Sequence, residues 1–103
     1  MKTIDPNLFL KVAKHKAEIH GYDPNLLELA TDGKHKLMWN KIKFGSYGMG
    51  DFIQYLYQYF NGEITKEEAL QHRKNYLARA TKIRGNWKNK KDSKNNLAIS
   101  ILW

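Results

Sequence analysis

No cysteine occurs in this chain of 103 residues, which excludes a disulfide framework, a thiolate zinc site and a thiol nucleophile. A chain without thiols is compatible with a reducing compartment. Long apolar runs are missing too. None approaches the roughly 20 residues needed to cross a bilayer, and Met1 to Pro6 lacks the apolar core of a signal peptide. The expectation is a protein that neither spans a membrane nor is secreted. Acids are scarce in one place: between Arg73 and Lys94 there is only Asp92.

Groups that could carry chemistry are also few. His15, His20, His35 and His72 match no metal-ligand spacing, and the five-residue step from His15 to His20 puts those two on different helical faces. Glu67 and Glu68 fall in a first helical turn, where carboxylates favour the helix dipole. No serine, histidine and acid group into a triad. The sequence therefore predicts no catalytic residue, no metal site and no cofactor, and a protein that is not an enzyme. The glycines from Gly45 to Gly50 resemble a phosphate-cradling loop only loosely. They lack a Gly-Lys-Ser/Thr ending, and Asp51 at the next helix start would repel a phosphate, so they read as a turn.

What is present fills one modest core: 42% of the residues are apolar and 13% aromatic, enough for a single domain over 1–103. Asp5 before Pro6 marks a helix start, and Leu8, Val12, His15 and Ile19 then recur on one face, predicting a helix over 6–20. Asp23 and Pro24 repeat that signal before Leu26, Leu27, Leu29 and Ala30, predicting a second, short helix ended by Asp32 and Gly33. From Lys36 to Phe44 the period changes to alternation, which suits one strand with no evident partner. Asp51 caps a helix over 52–60 whose only polar residues, Gln54 and Gln58, share a narrow face. That helix is expected at the centre of the core, with Tyr55, Leu56, Tyr59 and Phe60 against Leu77, Ala80 and Ile83.

Thr65 and Glu68 form a capping box for the longest helix, expected over 66–84 with Gly85 as its C-cap. Arg73 and Arg84 fall on the apolar arc of that helix, where a snorkelling stem or a partner such as Asp51 is the expectation. A polar basic loop follows over 86–92. Ser93 or Asn95 then caps a last segment in which Leu97, Ile101 and Leu102 dock on the body, with Trp103 as anchor. The resulting fold class is mainly α, about five helices with at most one short strand.

The strongest functional signal is charge. Nine bases against Asp92 make 73–94 equal in charge to the whole chain, +8, while residues 1–72 hold nine bases and nine acids. A positive field this local favours a polyanionic partner, most commonly the phosphate backbone of nucleic acid. The candidate nucleic-acid-binding residues are Lys74, Arg79, Lys82, Trp87, Lys88, Lys90, Lys91 and Lys94, with Trp87 and Tyr76 as stacking faces. Contacts of this kind carry affinity and little sequence preference.

Several motifs occur in one order: Phe44 and Gly45 with Gly48 and the run Gly50, Asp51, Phe52; then Arg73, Tyr76 and Arg79 at three-residue steps, followed by Lys82 and Ile83; then Gly85 and Trp87; and the end from Ser93 through Asn96 and Leu97 to Trp103. Over residues 40–103 this resembles a family of small uncharacterised basic proteins of large DNA viruses, with similar segments in some phages. The chain departs from the shorter members in a longer insertion between Phe52 and Arg73. The resemblance implies a viral protein, placed in the virion or in the cytoplasm or nucleus of an infected cell, and brings no activity. With the charge it leads to a small basic viral protein that associates with nucleic acid without sequence preference. The alternative is a structural or assembly protein whose basic face and aromatic helix meet a capsid protein, another viral protein or a second copy.

Overall fold

The computed structural model describes residues 4–85 and 87–103. Met1 to Thr3, part of the N-terminal stretch read above, and Asn86, the first residue of the expected basic loop, lie outside the described residues.

The architecture is α+β, which corrects the mainly α expectation. Helix α1 (Pro6–Ile19) is followed by a 3₁₀ turn (Pro24–Leu26) and three strands, β1 (Leu27–Leu29), β2 (His35–Trp39) and β3 (Ile42–Ser46). Then come α2 (Phe52–Phe60), α3 (Lys66–Ala80), a second 3₁₀ turn (Trp87–Asn89) and α4 (Lys94–Leu97), which runs on as a π-helical turn over Ala98–Leu102. The sheet is antiparallel in the order β1-β2-β3. Leu27 faces Trp39, Leu29 faces Leu37, and Leu37 faces Phe44 in turn.

Two local features account for the strands that the sequence pattern hid. Asp23 caps Asn25, but the turn it starts closes after one round, and Leu27 leaves it with extended backbone. The three leucines expected in a helix are thus split, with Leu27 and Leu29 in an edge strand. The expected single strand over 36–44 folds back on itself at Asn40 and Lys41, whose φ values of 47° and 70° are those of a tight two-residue hairpin. Asparagine suits that conformation and lysine does not, so the turn has only half its usual signature. Asp32 fixes the other hairpin: one carboxylate oxygen accepts from the backbone of Lys34 and His35, and the second lies 2.7 Å from His35 Nδ1. These bonds, the histidine contact foremost, hold the Asp32 carboxyl well below the usual carboxylate range.

The centre of the core is the C-terminal segment. Leu97, Ala98, Ile101, Leu102 and Trp103 are all buried, together with Leu27, Leu37 and Phe44 from the sheet and Ile53 from α2. The anchoring expected of Leu97, Ile101, Leu102 and Trp103 is what the structure has. Helix α1 contributes Phe9, Ala13 and Ala17, rotated by about 100°, one residue, from the face expected, and Leu8 and Ile19 are exposed. Two alanines on the buried stripe allow α1 to approach the π-turn, and close approach wins over the larger side chains.

Helix α2 is likewise turned from its expected pose. Gln58 is buried at 6% exposure while Phe60 is 79% exposed, and Gln54 accepts a hydrogen bond from the Ile4 amide. With the C-terminal segment at the centre, α2 is a flanking element. The expected packing of Phe60 against Ile83 is absent, since Ile83 is itself 53% exposed. The caps read from the sequence are in place: Asp5 on α1, Asp51 on α2, the Thr65 and Glu68 box on α3 and Ser93 on α4.

Candidate functional site

Helix α3 ends at Ala80, with Thr81 as its C-cap, four residues short of the expected end. The Thr81 hydroxyl donates back to the Leu77 carbonyl at 2.7 Å, a local bond that competes with helix continuation. Lys82, Ile83 and Arg84 therefore leave the helix and are exposed. The return path is fixed by polar bonds. Trp87 Nε1 donates to the Ile83 carbonyl at 2.7 Å, and the Trp87 carbonyl accepts from Ser93 Oγ and Asn96 Nδ2 at 3.0 and 2.6 Å. Asn96 also donates to the Lys90 carbonyl, so the 87–92 loop is held on the start of α4.

Between α3 and the β3 end of the sheet lies a groove of about 900 Å³, whose wall includes Arg79, Tyr76 and His72 on one side and Lys36, Gly45 and Ser46 on the other. A second groove of about 570 Å³ is lined by Arg84, Trp87 and Lys94 among others. Gly45, Ser46 and Ile83 belong to both, so the two form one trench. Tyr55 stacks on His72 at 4.0 Å between centroids, and Tyr76 stacks on Trp103 at 4.2 Å. Burial pushes the Tyr76 hydroxyl above its usual range. Gly45 has a φ of +77°, and a Cβ there would come within 2.7 Å of Leu102 Cδ1, so the sheet edge needs glycine to close on the C-terminal segment.

The sequence-predicted residues separate on this frame. Arg79, Trp87 and Lys94 line the trench. Lys74, Lys82, Lys88 and Lys90 are exposed, with the Lys88 ammonium 5.6 Å from the Trp87 ring centroid. Lys91 is drawn away from them: its ammonium donates to the Gly21 carbonyl and lies 4.9 Å from the Tyr22 ring centroid, while its own carbonyl accepts from the Tyr22 hydroxyl. It staples the loop to the end of α1. Arg84 and Lys36 line the trench without having been among the predicted binding residues. For Arg84 the misleading signal was the helical arc, which the early end of α3 removes. Lys36 lies outside the basic tract and had no signal of its own.

Among the described residues the ion pairs are His35 with Asp32, Lys36 with Asp51, and Lys43 with Asp32. None involves a base from 73–94. Arg73 donates from Nε to the Trp103 main-chain oxygen at 3.1 Å, and its guanidinium carbon lies 5.7 Å from the Phe52 ring centroid. The Asp51 carboxylate, 1% exposed, caps α2 and pairs with Lys36, so the acid expected to pair with an arginine is taken by a lysine. Nearby, Lys16 Nζ is buried without a hydrogen-bond partner and sits 5.7 Å from the same Phe52 ring. Burial first, and then the Arg73 charge, lower its pKa to about 8, with Asp51 acting in the opposite direction.

Among the described residues no group of three histidine, cysteine, aspartate or glutamate side chains is placed to hold a metal ion, and no helix is long and apolar enough to cross a membrane. No family model, no curated protein and no solved structure matches the chain.

Proposed function

We propose that the protein binds nucleic acid through its phosphate backbone, without sequence preference, using the bases exposed from the C-terminal half of α3 to the start of α4. One observation carries this reading: nine bases crowd into residues 73–94 and none of them is paired with an aspartate or glutamate side chain among the described residues. Cations left without acids on a folded surface gain by releasing counterions from a polyanion. Lys82, Lys88 and Lys90 on the exposed turns, with Arg79, Arg84 and Lys94 along the trench, are the groups that meet phosphate. A virion or infected-cell setting belongs to the same proposal and rests on the resemblance over residues 40–103. Catalysis has no part in it.

The test is fluorescence anisotropy of a labelled duplex titrated with protein at several salt concentrations. Binding that weakens steeply with salt and is the same for unrelated sequences supports the proposal. No binding at micromolar protein and low salt would overturn it. A second reading, an assembly protein that associates through its aromatic helix, is favoured by Phe60, which is 79% exposed with Tyr59 at 5.3 Å. Light scattering of the protein and of Phe60→Ala decides that one: a loss of self-association in the variant is its expected result.

A further inference from the structure

We infer that the trench between α3 and the β2–β3 hairpin seats one unpaired strand of nucleic acid, with phosphates along Arg79, Arg84 and Lys94 and bases laid on its aromatic rings. The inference rests on the nucleic-acid reading above and adds the form of the ligand. Three features of the trench point the same way.

The first is charge. Arg79, Arg84 and Lys94 line the trench, and the only acidic side chain among its described lining residues, Asp51, is 1% exposed and already paired with Lys36. An anion entering meets no exposed acid. The second is the pairing of that charge with planar groups. At one end Tyr55 and His72 stack almost parallel, at 8°, and His72 is exposed, so a base placed on it extends an existing stack. At the other end Trp87 is held by its bond to Ile83 and is half-buried. Base-to-ring stacking contributes about 1–3 kcal/mol per base and tolerates any sequence.

The third is shape. At about 900 and 570 Å³, the two halves are open grooves with room to lay a few bases along them, and they do not enclose a ligand. A duplex keeps its bases stacked inside and presents its phosphates outward, where exposed lysines such as Lys82, Lys88 and Lys90 can meet them. It has no base to bring to His72 or Trp87 unless one is flipped out. A single strand can turn its bases inward while its phosphates follow the arginines.

The test uses the whole protein and two labelled probes, a short oligodeoxythymidine and a hairpin duplex, at one low salt concentration. His72 is exposed and lies stacked on Tyr55 in the trench lining, so His72→Ala removes a stacking face without disturbing the core. Trp87→Ala removes the ring at the other end and is read in the same way where the first variant does not fold. The expected result is a loss of about tenfold or more for the strand and less than about twofold for the duplex. Equal losses on both probes, or none on either, would overturn the inference while leaving general nucleic-acid binding intact. Absence of binding to both probes by the unaltered protein would overturn the broader reading and this one with it. Displacement of the strand by polyglutamate as readily as by a second strand would also count against it, because polyglutamate has charge but no rings.

Discussion

Two adjacent stretches of this chain meet opposite fates. Residues 73–94 carry nine bases, and most of their side chains stay in solvent. Residues 97, 98 and 101–103 are buried and carry no charge at all. The solvent-exposed lysines of the first stretch, such as Lys82 and Lys90, add little to the stability of the fold, while Tyr76, Ala80 and Lys91 in the same stretch belong to it, and the second stretch is the fold's centre. Stability and binding are therefore separable residue by residue within the last third of the sequence, and substitutions of the exposed lysines should leave the fold alone.

The largest expected effect falls in the buried stretch. Ile101 is fully buried, and Ile101→Ala should cost about 2–5 kcal/mol, seen as a lower melting temperature or urea midpoint. A change under about 0.5 kcal/mol would break the comparison by removing the C-terminal segment from the core.

Lys16 is the cation on the wrong side of the division, since its ammonium is buried and unpartnered. Its folded pKa of about 8 lies below the ordinary lysine value of 10.5, so between those values the unfolded chain holds a proton that the folded chain has released. Stability from this group therefore rises with pH across about 8 to 10.5, and below pH 8 the buried charge is a cost. Lys16→Met should raise the unfolding free energy at pH 7 by up to about 3 kcal/mol. The advantage should shrink as pH approaches 10, as measured by urea unfolding of both proteins at each pH. A constant difference between them would contradict the assignment.

Gly45→Ala tests the contact between the sheet edge and the C-terminal segment. With a φ of +77° and Leu102 in the way, the added methyl should destabilise by about 1–3 kcal/mol. Gly48→Ala has a positive φ but nothing within 4 Å and should cost less, about 1 kcal/mol. Thermal melts of the two variants side by side separate backbone strain from the clash.

Helix starts were legible in the sequence because a cap needs only a few neighbouring residues: Asp5, Asp51, Thr65 with Glu68, and Ser93 all act as their types and spacing indicate. The sheet was not legible, because its register depends on partners distant in sequence and its second turn places Lys41 in a conformation lysine rarely takes. Which face of α1 and α2 is buried was hidden for a related reason. The periodicity of a helix shows its apolar side chains, but whether Ala13 and Ala17 or Leu8 and Ile19 turn inward depends on how close the neighbour comes.

Of the candidate site, the local charge was plain from composition. The trench was not, since it needs α3 to stop at Ala80 and the hairpin to stand opposite. The inward turn of Lys91 could not be seen either, because its partners Gly21 and Tyr22 are about 70 positions away in a chain of 103.

The smallest expected effect on stability comes with the most direct test of the division. Lys82 and Lys90 are exposed, so changing both to alanine should alter unfolding free energy by less than about 0.5 kcal/mol. If both contact phosphate, the same double variant should make the slope of log affinity against log salt on duplex DNA shallower by about 2, at about 0.9 per lost contact. The measurement is that slope, by anisotropy, for the unaltered protein and the double variant. A shallower slope at unchanged melting temperature is the predicted result; an unchanged slope, or a slope that changes only as the fold is lost, would contradict it.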